Sequence, residues 1–127
     1  MTAERSRFSE HFRHPARIGP LSEANRAAEA ENTACGDWVR FQLRLVGSRV
    51  ESARIQVRGC SATIACASLV AEAVEGLELE AARGLRVQPL ALAAGATPRD
   101  LSHAPALVER ALEAALAGAS AGCQAEA

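Results

Sequence analysis

The 127 residues are enough for one domain that buries a core without disulfide support. With 49% apolar residues, 23% charged residues and a net charge of −1, the composition is that of an ordinary globular protein, and bulk charge gives no reason to expect nucleic acid or an anionic membrane as partner. All 14 basic residues are arginine, which excludes lysine-based Schiff-base or P-loop chemistry, and no run reaches the roughly 18–20 apolar residues of a membrane span.

Residues 4–12 predict a short helix, ended by the turning segment His14-Pro15 and Ile18-Gly19-Pro20. Ala24 to Glu31 has the composition of a helix with weak amphipathicity, and reads as helix or loop. From Val39 the period changes to two: Val39, Phe41, Leu43 and Leu45 alternate with Arg40, Gln42 and Arg44, which describes a half-buried strand. Gly47-Ser48 suits a two-residue hairpin turn with glycine first, and the return strand runs to Arg58. Val50 is out of step with Ala53, so a bulge is expected near Glu51-Ser52.

Ala62 to Val74 is apolar almost all round, the pattern of a buried helix, and Gly76 follows its end. Leu79 to Leu85 reads as a further short helix broken by Pro89, and residues 91–99 as irregular. Pro105 sits where a first helical turn accepts proline, and Leu107, Val108, Ala111, Leu112, Ala115 and Leu116 form one apolar stripe after it. The Gly/Ala/Ser-rich end reads as a disordered tail. Together these elements predict an α+β fold, a small antiparallel sheet built on a hairpin and packed against several helices, with residues 1–117 as a single domain and 118–127 as a flexible tail.

Chemistry concentrates in two short motifs, Cys35-Gly36-Asp37 and, after the hairpin, Gly59-Cys60-Ser61-Ala62. In an antiparallel hairpin the residue before the first strand lies beside the residue after the second, so both motifs come to one end of the sheet. Ser102-His103-Ala104 offers an imidazole as a further donor. Two thiols, a carboxylate and an imidazole make a soft, mixed set suited to iron, an iron–sulfur cluster or zinc. Cys60 precedes a helix, whose free N–H groups and dipole favour a thiolate. With four cysteines and a polar N-terminus that lacks a secretory signal, the thiols read as metal-binding, reactive or buried, in a reducing cytoplasm.

The other residues have simpler expected roles. Cys66 lies six residues past Cys60, about 240° round a helix, and should face the core. Cys123 is expected to be a free tail thiol, His11 and His14 packing or capping residues, and Trp38 an anchor of the sheet or a partner surface. The row Arg40, Arg44, Arg54 and Arg58 reads as a solvated strand face.

The wider pattern resembles the U-type iron–sulfur cluster scaffold family, IscU and the N-terminal domain of NifU. The resemblance is carried by His11-Phe12-Arg13-His14-Pro15 with Gly19, by Cys35-Gly36-Asp37 and the hairpin, by Gly59-Cys60-Ser61-Ala62-Thr63-Ile64-Ala65, and by Gly76 with Glu80-Ala81-Ala82. It implies an IscU/SufU-like fold, no enzymatic turnover, and a [2Fe–2S] cluster or iron, with zinc as the alternative, held by Cys35, Asp37, Cys60 and His103. It implies a cysteine desulfurase and apo-protein cluster acceptors as partners, with a homodimer sharing one cluster as a further arrangement. In the family a third cysteine follows the histidine directly; here that residue is Ala104. The alternative implied by this departure is a zinc-binding, assembly-incompetent homologue that acts as a regulatory or interaction protein.

Overall fold

The computed structural model describes residues 6–118. The expected disordered tail, apart from Gly118, and Cys123 lie outside the described residues. The order of elements is α1 (Arg7–Arg13), β1 (Arg26–Asn32), β2 (Asp37–Val46), β3 (Arg49–Arg58), α2 (Ser61–Val74), α3 (Leu79–Arg83), α4 (Val87–Ala93), a 3₁₀ turn (Pro98–Leu101) and α5 (Ala104–Leu116). The fold is α+β, with one antiparallel sheet in the order β1-β2-β3.

The expected hairpin is present. Val46 pairs with Arg49 across Gly47-Ser48, and Gly47 takes φ 63°, the left-handed conformation that a glycine-first turn requires. Arg44 pairs with Ser52 but Leu45 with Val50, so Glu51 is the extra residue of a bulge. On β2 the inward set is Asp37, Val39, Phe41, Leu43 and Leu45, all buried. Asp37 is therefore the last member of the core-facing row, a carboxylate placed by strand alternation under the end of the sheet.

Ala24 to Glu31 is where the expectation of helix or loop fails. Residues 26–32 form strand β1, paired in register from Arg26↔Leu43 to Asn32↔Asp37. Alanine and glutamate favour a helix locally, but the exposed edge of β2 supplies a full ladder of hydrogen bonds, and tertiary pairing overrides that weak local preference. Small Ala28, buried on the inner face beside Phe41, lets α5 lie close across β1. Arg26 donates to the Leu116 carbonyl at 3.2 Å and Arg110 to the Glu31 carbonyl at 3.1 Å, fastening the two elements.

A second correction concerns Pro89. It does not end a helix but sits in the first turn of α4, where its missing N–H has no intrahelical partner to lose. Residues 91–93 are accordingly helical, and the rest of the segment expected to be irregular holds the 3₁₀ turn, closed by a capping box between Thr97 and Asp100.

Helices α2 and α5 cover the inner face of the sheet and touch each other, around a core that includes Phe41, Leu43, Ile55, Leu69, Leu107 and Leu112. The outer face is less solvated than the arginine row suggests. Arg40 pairs with Glu29, Arg44 with Glu51 and Arg54 with Glu75, while the Arg58 guanidinium lies 4.9 Å from the Trp38 ring centroid. Trp38 is thus an anchor of the outer sheet face, donating to Glu29 at 3.1 Å.

Helix α1 is locked to α2 by His11, which is buried. Its Nδ1 lies 2.7 Å from Ser68 Oγ and its Nε2 3.4 Å from Glu72 Oε1. Ser68 Oγ also accepts from the Ala16 N–H at 2.7 Å, so a neutral ring with its proton on Nε2 serves every contact. Burial lowers the His11 pKa below its ordinary 6.5; Glu72 opposes this and Arg7 adds to it. The folded state then binds fewer protons than the unfolded chain between that lowered value and 6.5, so stability falls as the pH drops through this window. Urea midpoints are expected to drop between pH 7.5 and 5.5, and His11→Gln to flatten that dependence.

Candidate metal centre

The strand and helix ends meet at one corner. Cys35 lies in the turn before β2, Asp37 opens β2, Cys60 is the N-cap of α2, and His103 is the N-cap of α5. All four line one open cavity of about 490 Å³, together with Arg99 and Ala104. Two helix N-termini thus face a buried carboxylate and two thiols, an arrangement in which their free N–H groups favour negative charge.

Cys35 Sγ lies 3.6 Å from His103 Nε2, and that nitrogen lies 3.9 Å from Asp37 Oδ2. One donor atom each from Cys35, Asp37 and His103 fall within 4.8 Å of one another, and this is the only such group of three or more among the described residues. Cys60 Sγ joins through Asp37, 3.5 Å from Oδ2, without belonging to that mutually close trio. Neighbouring donors on a tetrahedral zinc, with bonds of about 2.0–2.3 Å, stand roughly 3.3–3.8 Å apart. The observed separations are close to that spacing, and the donor types fit zinc, iron or an iron–sulfur unit.

Asp37 is held more firmly than the sequence indicated. Its Oδ1 accepts from the Cys60 N–H at 3.2 Å and its Oδ2 from the Thr63 hydroxyl at 2.7 Å. Burial alone would raise its pKa, but hydrogen bonds from Thr63, the Cys60 backbone, and the Cys60 and Cys35 thiols outweigh it and hold the carboxyl below its usual 3.8. Gly59 makes this approach feasible. A Cβ there would lie 2.7 Å from Asp37 Cγ, and the backbone takes φ 153°, which side chains rarely adopt.

Thr63, buried behind the site and bonded to Asp37, and Arg99, which lines the cavity, are the residues to which motif reading gave no role. Thr63 lies three residues into the helix from Cys60, where a hydroxyl returns to the N-terminal end; that spacing was the one available signal. Thr63→Val keeps the shape and removes the donor. It is expected to destabilise the fold by about 1–3 kcal/mol, because Asp37 loses a buried partner. A lowered carboxyl pKa contributes stability above 3.8 that is lost as the pH falls through the folded value. In Thr63→Val acid unfolding should therefore begin at higher pH, as followed by circular dichroism.

Cys66 is fully buried, and burial, with smaller contributions from Asp100 and Cys60, pushes its thiol up to about 12. It is a core residue, as the helical arithmetic required. His14 is exposed and caps the C-terminal end of α1, its N–H donating to the Glu10 carbonyl, and it lines a shallow cavity with His11 and Glu72.

Comparison with known proteins fits this geometry. The model of the NifU-like N-terminal domain matches residues 3–121. The chain is 29% identical over 107 residues to the iron–sulfur cluster assembly scaffold protein IscU 1 of Archaeoglobus fulgidus, covering 84% of this chain and 70% of that one. It is 32% identical over 81 residues to the zinc-dependent sulfurtransferase SufU of Bacillus subtilis, covering 64% of this chain and 54% of that one. The fold superposes on the N-terminal part of a nitrogen-fixing NifU-like protein from Brucella abortus with a TM-score of 0.70 at 20% identity, over 92% of this chain and 94% of that one. The relatives are thus named both as scaffolds of iron–sulfur cluster assembly and as a zinc-dependent sulfurtransferase. No helix among the described residues is long and apolar enough to cross a membrane. On the family match over residues 3–121, the chain belongs to the NifU-like N-terminal domain family, the U-type scaffolds of iron–sulfur cluster assembly.

Proposed function

We propose that this protein is a scaffold-type carrier that holds iron, a [2Fe–2S] cluster or zinc between Cys35, Asp37, Cys60 and His103. The observation that carries the reading is the meeting of these four donors, from four separate elements, in one cavity at the sheet end. The two thiolates and the imidazole supply the soft positions and Asp37 the harder, more labile one, which suits a cargo that must later leave. The mouth is open and both thiols are exposed, so a cysteine desulfurase could deliver sulfur and an apo-protein could receive the cluster without the core opening. Two chains could also share one cluster, each lending its thiols. Exposed free thiols fit a reducing cytoplasm.

Ala104 favours a second reading. A methyl group offers no ligand, and four donors of the types present are the number a closed tetrahedral zinc site needs. The protein would then be a zinc-binding homologue that regulates or binds the assembly machinery without building clusters.

Anaerobic reconstitution with ferrous iron and sulfide tests the two readings together. A sulfur-to-iron charge-transfer spectrum that survives gel filtration supports the scaffold. Stoichiometric zinc with no cluster supports the regulator. A protein that retains neither metal nor cluster overturns both.

A further inference from the structure

On the reading proposed above, in which Cys35, Asp37, Cys60 and His103 hold one metal, the four donors do not start from equivalent positions. Cys35, Asp37 and His103 already stand together, each donor atom within 4.8 Å of the other two. Cys35 Sγ has His103 Nε2 at 3.6 Å, and that nitrogen has Asp37 Oδ2 at 3.9 Å. Among the described residues neither the Cys35 nor the His103 side chain has a hydrogen-bond or ion-pair partner outside the donor set. Their resting places are thus also their binding places. Cys60 Sγ keeps beside Asp37, 3.5 Å from Oδ2, and falls outside that mutual 4.8 Å spacing. Donors on one tetrahedral ion stand no more than about 3.8 Å apart, so Cys60 must move by roughly 1 Å to join.

The place that Cys60 leaves has partners of its own. Thr63 Oγ1, which is not one of the proposed donors, lies 3.3 Å from Cys60 Sγ. The single proton of that hydroxyl goes to Asp37 Oδ2 at 2.7 Å, so toward Cys60 the oxygen accepts. A Cys60 thiol off the metal therefore finds two acceptors, Thr63 Oγ1 and Asp37 Oδ2. Asp37 behaves differently. Softness alone makes its carboxylate the weakest bond to a soft metal. Yet it is only 2% exposed and is held through both oxygens, by the Cys60 N–H and the Thr63 hydroxyl, with lone pairs left on each. When its bond to the metal opens, the carboxylate stays in place and the bond re-forms.

We infer that Cys60 is the exchangeable ligand of this site: Cys35, Asp37 and His103 grip the metal, Cys60 swings on and off, and Thr63 is the positioning residue that receives the released thiol. On joining, Cys60 gives its proton to solvent as the metal–sulfur bond forms. On leaving, it takes a proton back and returns to Thr63 and Asp37. No electron is transferred. Hand-over of the cargo then opens at Cys60, which is exposed, while three donors retain the metal.

Residue-resolved alkylation of the whole chain tests this. Zinc-loaded and metal-free protein are treated with iodoacetamide, and peptide mass spectrometry gives the rate at each cysteine. A free thiolate reacts, whereas a sulfur bound to metal is shielded. Zinc is expected to slow Cys35 at least about fivefold more than Cys60, the effect of roughly one hydrogen bond that favours the released thiol. Cys66, fully buried, should stay unmodified in both forms and reports that the fold is intact. Thr63→Val should bring the two protections within about twofold of each other, and Thr63→Ser should keep the parent ratio. An unchanged ratio in Thr63→Val, or an equal shift at both cysteines, overturns the role of Thr63. Equal protection of the two cysteines in the parent, or stronger protection of Cys60, overturns the exchange at Cys60 while the metal site stands. Zinc that protects neither cysteine removes the metal site itself.

Discussion

Cys35→Ser and Cys60→Ser are each expected to weaken zinc or iron retention by more than about 100-fold, since losing only an outer partner of a metal ligand already costs roughly 10–100-fold. A serine hydroxyl stays protonated where a thiolate would bind, so the change removes a soft donor almost without altering shape. Because both cysteines are exposed, the fold should survive, with unfolding free energies within about 0.5 kcal/mol of the parent. Cys60→Ser is expected to be slightly stabilising, as Cys60 is the N-cap of α2, makes no side-chain cap hydrogen bond there, and serine is among the preferred N-caps. Cys66→Ser should show the opposite pattern. It places a hydroxyl in a fully buried position, costs about 1–3 kcal/mol, and leaves metal binding intact. Metal content by emission spectroscopy and urea unfolding on the same samples check both halves. Equal metal retention in all three variants would show that the corner cavity is not the binding site.

How much of this was legible beforehand depended on whether each feature was local. The hairpin was readable because the two-residue period of β2 ends at Gly47-Ser48 and its inward row continues to the motif residue Asp37. The bulge at Glu51 was readable from the broken phase between Val50 and Ala53. Strand β1 was not, since its alanines and glutamates state a helical preference and only the edge of β2 and the weight of α5 convert it to a strand. For the same reason Pro89 misled: whether a proline breaks a helix or begins one depends on where the chain enters, which is set by tertiary packing.

The site divides in the same way. That Cys35, Asp37 and Cys60 share one end follows from hairpin geometry alone. The meeting of His103 with Cys35 at 3.6 Å depends on α5 crossing the sheet with its N-terminus at that corner, which no local pattern encodes; only the family pattern pointed there. Thr63 lay hidden as one more small residue of a buried helix, and Arg99 in a stretch without periodicity.

Ala104→Cys is expected to tighten zinc or iron binding by about 100-fold and to raise cluster yield on reconstitution several-fold, because it adds a third thiolate beside His103. Residue 104 is the first residue of α5, directly after His103, and lines the cavity although it is only 1% exposed. A thiol there meets the unpaired N–H groups of a helix start, which favour the thiolate. Packing opposes the change, since filling a tight site costs about 1–3 kcal/mol, but the neighbouring cavity gives the sulfur somewhere to go. Ala104→Ser separates the two effects, having nearly the same size and no thiolate. If the site is one donor short, serine should match the parent in metal affinity and cysteine should exceed both. If cysteine does no better than serine, the site is not one donor short, and Cys35, Asp37, Cys60 and His103 are already the complete tetrahedral set of the zinc-binding reading.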